Sequence, residues 1–451
     1  MKSGRKKTGV LLVTLAALAI AIGWILYQMP TGRALAPSGG GAAAGEASDS
    51  SGGHSTDGAA SPEAIPSSSQ SAKPTQQASA APSAAPSTIP SSTPVASNSS
   101  APSTVSGSPG PSVTTSGSPG TSATPAVPLV PYKGCVEHLF FHPLVVYPEL
   151  AFDGDSMAKG YFDWFVTAKE FRSILEDLYR NGYILIGMDS LYGVRTDKEN
   201  KPEVYTKELL LPEGKKPLIL SVDDNNYYDY MRKNGNIQKL VVDKDGRIAG
   251  YAIDPSGREI TARDNDIVPI LDDFVAAHPD FSFQGAKGIL ALTGYEGILG
   301  YRTNDPSSST YEQDKTDVER VVHELKATGW SFASHSWGHR DARKITKAHL
   351  AEDTDRWLKE VEPLIGPTAI YIYPFGSSVD RDPDKLKLLE DRGFRVFCSV
   401  GPTPYLKATK QALFMDRRHI DGMALTETPK RLAPLFDAAK ALDPARPTQE
   451  P

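Results

Sequence analysis

The chain has 451 residues and a formal net charge of -6, but Ser, Pro, Ala, Gly and Thr supply 78 of the 95 residues from Ala34 to Pro128, and no aromatic residue lies between Tyr27 and Tyr132. A segment that cannot bury apolar surface cannot offset its own ordering entropy, so one folded domain over 129–451 is expected where length alone suggests three. Collagen, a coiled coil, a polytopic membrane protein and a disulfide-dense mini-domain are excluded. Six basic against four acidic residues in the N-terminal part leave the remainder at -8, which argues against a nucleic-acid partner.

In chain order, residues 1–9 carry Lys2, Arg5, Lys6 and Lys7, and Val10–Tyr27 is an apolar run ending in Trp24 and Tyr27. At 1.5 Å per residue such a run nearly spans a bilayer core of about 30 Å. The positive flank predicts a cytoplasmic N-terminus and a single-pass cell-membrane anchor with an extracellular catalytic domain. Ala34-Leu35-Ala36 leaves open the alternative of secretion after signal cleavage. Residues 28–128 read as a disordered tether, spanning roughly 50–60 Å as a flexible coil. Cys135 and Cys398 could pair outside the cell, or Cys398 could be buried as a small hydrophobe.

Beyond the tether, apolar runs alternate with helical patterns. Strands are predicted over His138–Tyr147, Tyr183–Met188, Pro217–Val222, Gly288–Leu292, Trp330–Ser334, Ala369–Tyr373, Phe394–Val400 and Ala412–Met415. Continuous rather than alternating apolarity is the mark of parallel strands buried on both faces. Thr167 and Glu170 read as a capping box opening a helix to Arg180, and further helices fall over 267–277, 316–327, 347–364 and 384–392. This alternation suggests a barrel or a doubly wound sheet. About 236–262, alternation around Asp245-Gly246 and Ser256-Gly257 reads as a small β-hairpin insertion on the rim.

Three strand ends carry candidate chemistry. Ser221-Val222-Asp223-Asp224 puts two carboxylates where active sites of parallel barrels cluster. In His335-Ser336-Trp337-Gly338-His339 the histidines, at i and i+4, lie on one face if the segment is helical. Two histidines and one carboxylate make a three-ligand site of catalytic type, in which a divalent metal lowers the pKa of water and polarises a carbonyl. The other carboxylate can then take the water's proton. Tyr373-Pro374-Phe375-Gly376 makes a turn that can offer a backbone N–H to an oxyanion.

These residues, in this order, resemble the polysaccharide deacetylase family, the NodB-homology or carbohydrate esterase family 4 group. The likeness covers most of Pro217 to Ile420, and its His-Ser-x-x-His element is matched in full. The resemblance implies an irregular (β/α) barrel of about seven parallel strands. It implies Asp223 as catalytic base, Asp224, His335 and His339 as metal ligands, and the Phe375 N–H in the oxyanion hole. Three departures stand out. Ile372 replaces the arginine of the third motif, with Arg302, Arg417 and Arg418 as possible substitutes. The family's Asp-x-x-Asp-Trp stretch is missing after Gly376. The distal Leu-x-His is blurred, leaving His419 as the candidate general acid.

The expected activity is metal-dependent removal of acetyl groups, N-acetyl first, from a cell-wall or surface polysaccharide by a monomer. Zinc is the first choice of metal, with cobalt, nickel or manganese as others. The alternatives are a non-catalytic glycan-binding domain on the same fold and an O-acetyl esterase of polysaccharides.

Overall fold

A computed structural model describes residues 128–449 and 451; the expected anchor at 10–27 and the tether up to residue 127 lie outside these described residues. Among the described residues no helix is long and apolar enough to cross a membrane.

Seven strands form the frame: β1 (Glu137–Phe141), β2 (Lys216–Asp223), β3 (Ile289–Leu292), β4 (Ser331–Ser334), β5 (Ile370–Ile372), β6 (Val396–Val400) and β7 (Leu413–His419). Every neighbouring pair is parallel, and β7 returns to β1 through Arg418 opposite Leu139 and His419 opposite Phe140, closing the ring. Tyr183–Leu185 is paired to the start of β2 as an added strand. All eight expected apolar runs therefore contain a strand, seven of them in the barrel, though the first is strand only to Phe141 and the second only to Leu185.

Alternation along the strands sorts their side chains into two apolar clusters. Ile219, Ala291, Ala333, Ile372, Cys398 and Met415 pack together inside the barrel, with Leu209 and Leu211 beside them. Their neighbours Leu220, Val222, Leu290, Phe332, Tyr371 and Phe397 face outward into the core shared with the helices. The sheet's period of two makes this segregation automatic once the ring closes.

Helices cover most of the outside. The first, α1 (Ala168–Arg180), opens on the expected capping box between Thr167 and Glu170 and buries Phe171, Ile174, Leu175 and Leu178. After it come α2 (Ile267–Ala277), α3 (Tyr311–Ala327), α4 (Lys347–Glu360) and α5 (Pro383–Asp391). The helix expected over 347–364 is interrupted at Val361, and a short second helix follows with Pro363 in its first turn. Proline there has no N–H to continue the α4 ladder.

One further expectation changes, and one open alternative is decided. The insertion is a three-stranded antiparallel meander, Lys239–Val242, Ile248–Ile253 and Glu259–Ala262, rather than a hairpin. It is not confined to the rim, because Leu240, Ile248 and Ala252 are buried in the main core. Cys135 and Cys398 are both free, the first exposed and the second buried in the barrel, so their pairing is not formed. The chain enters through an antiparallel pair, Leu129–Pro131 with Leu210–Pro212, ahead of the starts of β1 and β2. That is the N-terminal end of the barrel, opposite the strand ends that carry the candidate site.

Candidate metal centre

The site gathers at the C-terminal ends of β1, β2, β4, β5 and β7. Asp223 is the last residue of β2, and the chain turns sharply after it, with Asp224 in the left-handed region at φ 59°. Leaving the extended conformation lets two adjacent carboxylates serve the same mouth, which strand alternation alone forbids. The turn is tied down by Asn226, which donates to Thr293 O at 3.0 Å and accepts from Thr293 N at 3.2 Å. Tyr228 donates to Asp224 Oδ1 at 2.8 Å, and its ring is stacked on Tyr295 at 4.6 Å.

After β4, His335 to His339 form a turn and not a helix, with Ser336 at φ 63° and His339 at φ 51°. The shared helical face expected for the two histidines is thus replaced by a strained turn that brings their rings to 5.0 Å. Asp353 of α4 holds this turn, accepting from Trp337 N at 2.7 Å and Gly338 N at 2.8 Å. His335 Nδ1 lies 2.9 Å from Ile372 O. A carbonyl can only accept, so Nδ1 carries the proton and Nε2 keeps its lone pair for the mouth. Phe375, at φ 58° in the turn after β5, packs its ring edge-on to His339 at 4.6 Å. Four non-glycine left-handed residues around one mouth are the kind of strain that functional sites hold.

Ligating atoms of Asp224, His335 and His339 all lie within 4.8 Å of one another. His339 Nε2 is 3.8 Å from Asp224 Oδ2, and His335 Nε2 is 3.8 Å from Asp223 Oδ2. Burial lowers the His339 pKa to about 4, against the opposing pull of Asp224, so its imidazole is neutral near pH 7. Two imidazoles and a carboxylate, with Nε2 of His335 oriented by a backbone carbonyl, fit a divalent cation of the zinc type.

Arg417 fills the place left by the absent third-motif arginine. Its Nη1 donates to Asp223 Oδ1 at 2.7 Å and its Nη2 to Oδ2 at 3.0 Å, and Nη1 also reaches Ser221 Oγ at 3.2 Å. Ser221 in turn meets His138 Nε2 at 3.0 Å. The guanidinium is buried over the Phe140 ring at 4.2 Å. Burial pushes the Asp223 pKa up, but the charges of Arg417 and His335 outweigh it and bring it down to about 2. Arg418 faces the other way, to Glu137 at 3.2 Å, and Arg302 is held outside the centre by Asp229 at 2.6 Å.

Two histidines flank Phe140 at the mouth. His419 Nδ1 lies 2.7 Å from Asp421 Oδ2; burial pulls its pKa down, but the bond and charge of Asp421 win and raise it. His142 was not singled out from the sequence. It follows β1 directly, and its Nδ1 donates to Trp164 O at 3.2 Å. Its charge acts on both Asp223 and His339, whereas the charges acting on His419 are those of Asp421 and Arg431. The segment holding Trp164 is clamped by Arg446, which donates to Phe162 O at 2.9 Å and Phe165 O at 2.6 Å and pairs with buried Glu170 at 2.7 Å. The signal that could have found His142 is its position: with His138 and Phe140 facing inward, the next inward place beyond β1 is 142.

No family model matches the sequence, and no curated protein matches it. Among solved structures the chain is similar to the Streptococcus pyogenes deacetylase PplD in complex with acetate, at 14% identity and TM-score 0.38, over 66% of this chain and 99% of that one. It is similar to BA0330 of Bacillus anthracis, at 15% identity and TM-score 0.36, over 64% of this chain and 65% of that one. It is also similar to IcaB from Ammonifex degensii, at 12% identity and TM-score 0.34, over 68% and 97%.

Proposed function

We propose that this chain is a metal-dependent deacetylase that hydrolyses acetyl groups, N-acetyl first, from a cell-wall or surface polysaccharide. The observation that carries this reading is the juxtaposition, at one barrel mouth, of the Asp224–His335–His339 ligand set with a second carboxylate, Asp223, held by its own arginine. A carboxylate beside a three-ligand cation site is the equipment for hydrolysing an unactivated carbonyl. An unpartnered Asp223 would favour a glycan-binding domain without catalysis; the Arg417 pair supports the catalytic reading instead.

A divalent cation on Asp224, His335 and His339, zinc before cobalt, nickel or manganese, would supply Lewis acidity, acidifying a water and polarising the acetyl carbonyl. Asp223 is ionised at neutral pH and oriented through both oxygens, so it accepts the proton of the attacking water on a remaining lone pair. The Phe375 N–H, presented by its left-handed turn, faces the developing oxyanion. His142, with Nδ1–H spent on Trp164 O, keeps Nε2 for proton transfer to the leaving nitrogen. His419, the acid expected from the sequence, stands at the same mouth with its pKa raised by Asp421, and the two histidines share delivery of that proton. The acetyl C–N bond breaks, and acetate and a free amine leave. The proposal extends to an extracellular domain anchored by residues 10–27 and acting as a monomer.

The test is acetate release from N-acetylglucosamine oligomers or wall glycan by the full chain, with bound metal measured alongside. Asp224→Ala and His335→Ala each lose metal and activity together. Full acetate release by either variant sinks the assignment.

A further inference from the structure

Five of the seven barrel strands are followed by a connection that packs a helix against the outside: α1 after β1, α2 after β2, α3 after β3, α4 after β4 and α5 after β5. From β6 to β7 the connection is instead a strand, Tyr405–Ala408, antiparallel to β7. Three short helices, Gly422–Thr426, Pro429–Leu432 and Ala438–Ala441, follow β7, so it is the β6-to-β7 connection that supplies no helix of its own. What remains there is a cavity of about 610 Å³ floored by Phe397 and Phe414, whose rings stack at 5.7 Å. A second hollow of about 240 Å³ shares Asp380, Tyr405 and Phe414 with it, so the two form one groove. Binding pockets for organic ligands typically span roughly 300–1,000 Å³.

The groove starts at the catalytic rim. Val400 lines it and abuts Gly376, where an added Cβ would lie 2.7 Å from the Val400 Cβ. Ser399, also in the lining, donates to Gly376 O at 2.7 Å. Gly376 follows Phe375, whose ring touches His339. One turn thus separates the candidate metal centre from the groove.

We infer that this groove holds the sugar units flanking the one being deacetylated, making it a subsite for an uncharged, hydroxyl-rich glycan strand. This rests on the deacetylase reading and adds where the rest of the chain lies. The lining joins aromatic faces to planar hydrogen-bonding groups. Arg343 and Arg381 stand with Asp380, Asp382 and Asp416, and Asp382 is also paired with Lys385 at 3.8 Å, so three cations meet three carboxylates. So balanced a lining complements a neutral strand better than a polyanion or polycation. Tyr405, 44% exposed on the groove wall, offers its ring for stacking and can be truncated without opening the core.

Two measurements on the full chain test this. In the first, N-acetylglucosamine hexamer is titrated calorimetrically into Asp224→Asn protein, with and without Tyr405→Ala or Asp416→Ala. The groove variants should each weaken hexamer binding by about tenfold. In the second, acetate release is compared for dimer and hexamer. The hexamer's advantage in kcat/KM should collapse in Tyr405→Ala. Hexamer affinity unchanged by both groove substitutions, or no hexamer binding at all, overturns the subsite. Groove-dependent binding without acetate release from any oligomer supports the subsite and breaks the deacetylase reading instead.

Discussion

Inside the barrel, two halves of the same strands behave differently. Toward the N-terminal end the inward positions are Ile219, Ile289, Ala333, Ile370, Val396 and Leu413, all buried and apolar. Two to four residues further along, the same strands present Ser221 and Asp223, His335, and Arg417. The lower half is an ordinary packed core. The upper half buries a guanidinium and a carboxylate at almost no exposure, tolerable only because each is the other's partner. Register converts one into the other: the closed ring carries both, and moving along a strand by one pleat exchanges stability for chemistry.

The largest expected effect comes from breaking the upper pair. Arg417→Met leaves Asp223 buried without its cation and should cost about 3–5 kcal/mol of stability. With the base unheld, acetate release should fall by about 10²–10⁴-fold. Urea unfolding and acetate assays read the two. The sign with pH is definite. Asp223 titrates near 2 in the folded chain and near 3.8 as a free side chain, so its contribution is present above pH 4 and lost as pH falls toward 2. That acid-limb loss should be absent in Arg417→Met. Arg418→Met, one residue on and outward-facing, should leave turnover near wild type; equal damage from both would break the register argument.

Much of this frame was legible beforehand because parallel strands buried on both faces read as unbroken apolar runs. The acidic pair and the two histidines were legible because each sits directly after such a run. Arg417 was not separable from Arg418 by residue type. Counting inward places from Leu413 and Met415 separates them, but that needs the ring's inside to be known. His142 was hidden because the apolar run continues to Tyr147, whereas the strand ends at Phe141, just before the site histidine and Pro143, which has no N–H to donate to a ladder. The strands at Tyr192–Thr196 and Pro202–Thr206 escaped notice because they are largely exposed and polar.

Next in size is a deliberate hole in the lower half. Ile219→Ala removes a fully buried side chain two residues below Ser221, and truncations of this type cost about 2–5 kcal/mol. Turnover per folded molecule should stay within a few-fold of wild type. A collapse of turnover comparable to that of Arg417→Met would mean the two halves are not separable.

A smaller effect contrasts two buried carboxylates. Asp223 has a guanidinium; Asp266, the N-cap of α2, has only uncharged partners, the Ile267 N–H, the Tyr227 hydroxyl and the Leu144 backbone. Burial raises Asp266 to about 6, with those hydrogen bonds pulling the other way. Its stabilising contribution is therefore full below about pH 4, where folded and unfolded chains are both protonated, and is lost as pH rises to 6. Above that the ionised carboxylate stays buried at a cost of about 3 kcal/mol. Asp266→Asn removes this slope and keeps part of the hydrogen bonding, so the variant should be the more stable above pH 6 by about 2 kcal/mol. Thermal unfolding at pH 4, 6 and 7.5 reads it; a wild-type curve flat across that range would refute the assignment.

The smallest effect is chemical. Cys398 sits in the lower half at zero exposure, and burial pushes its thiol up to about 12, while Cys135 is exposed. The thiolate is the reactive form, so native protein should take up one equivalent of iodoacetamide at Cys135 and a second only on unfolding. Cys398→Ala should then cost roughly 1 kcal/mol, a small cavity with no consequence for turnover. Protein that takes up none until it is reduced would instead contain the disulfide, and β6 would have to leave the ring for Cys398 to reach Cys135. That outcome would undo the lower half as described, because Cys398 opposes both Ile372 and Met415 in the register that closes the barrel.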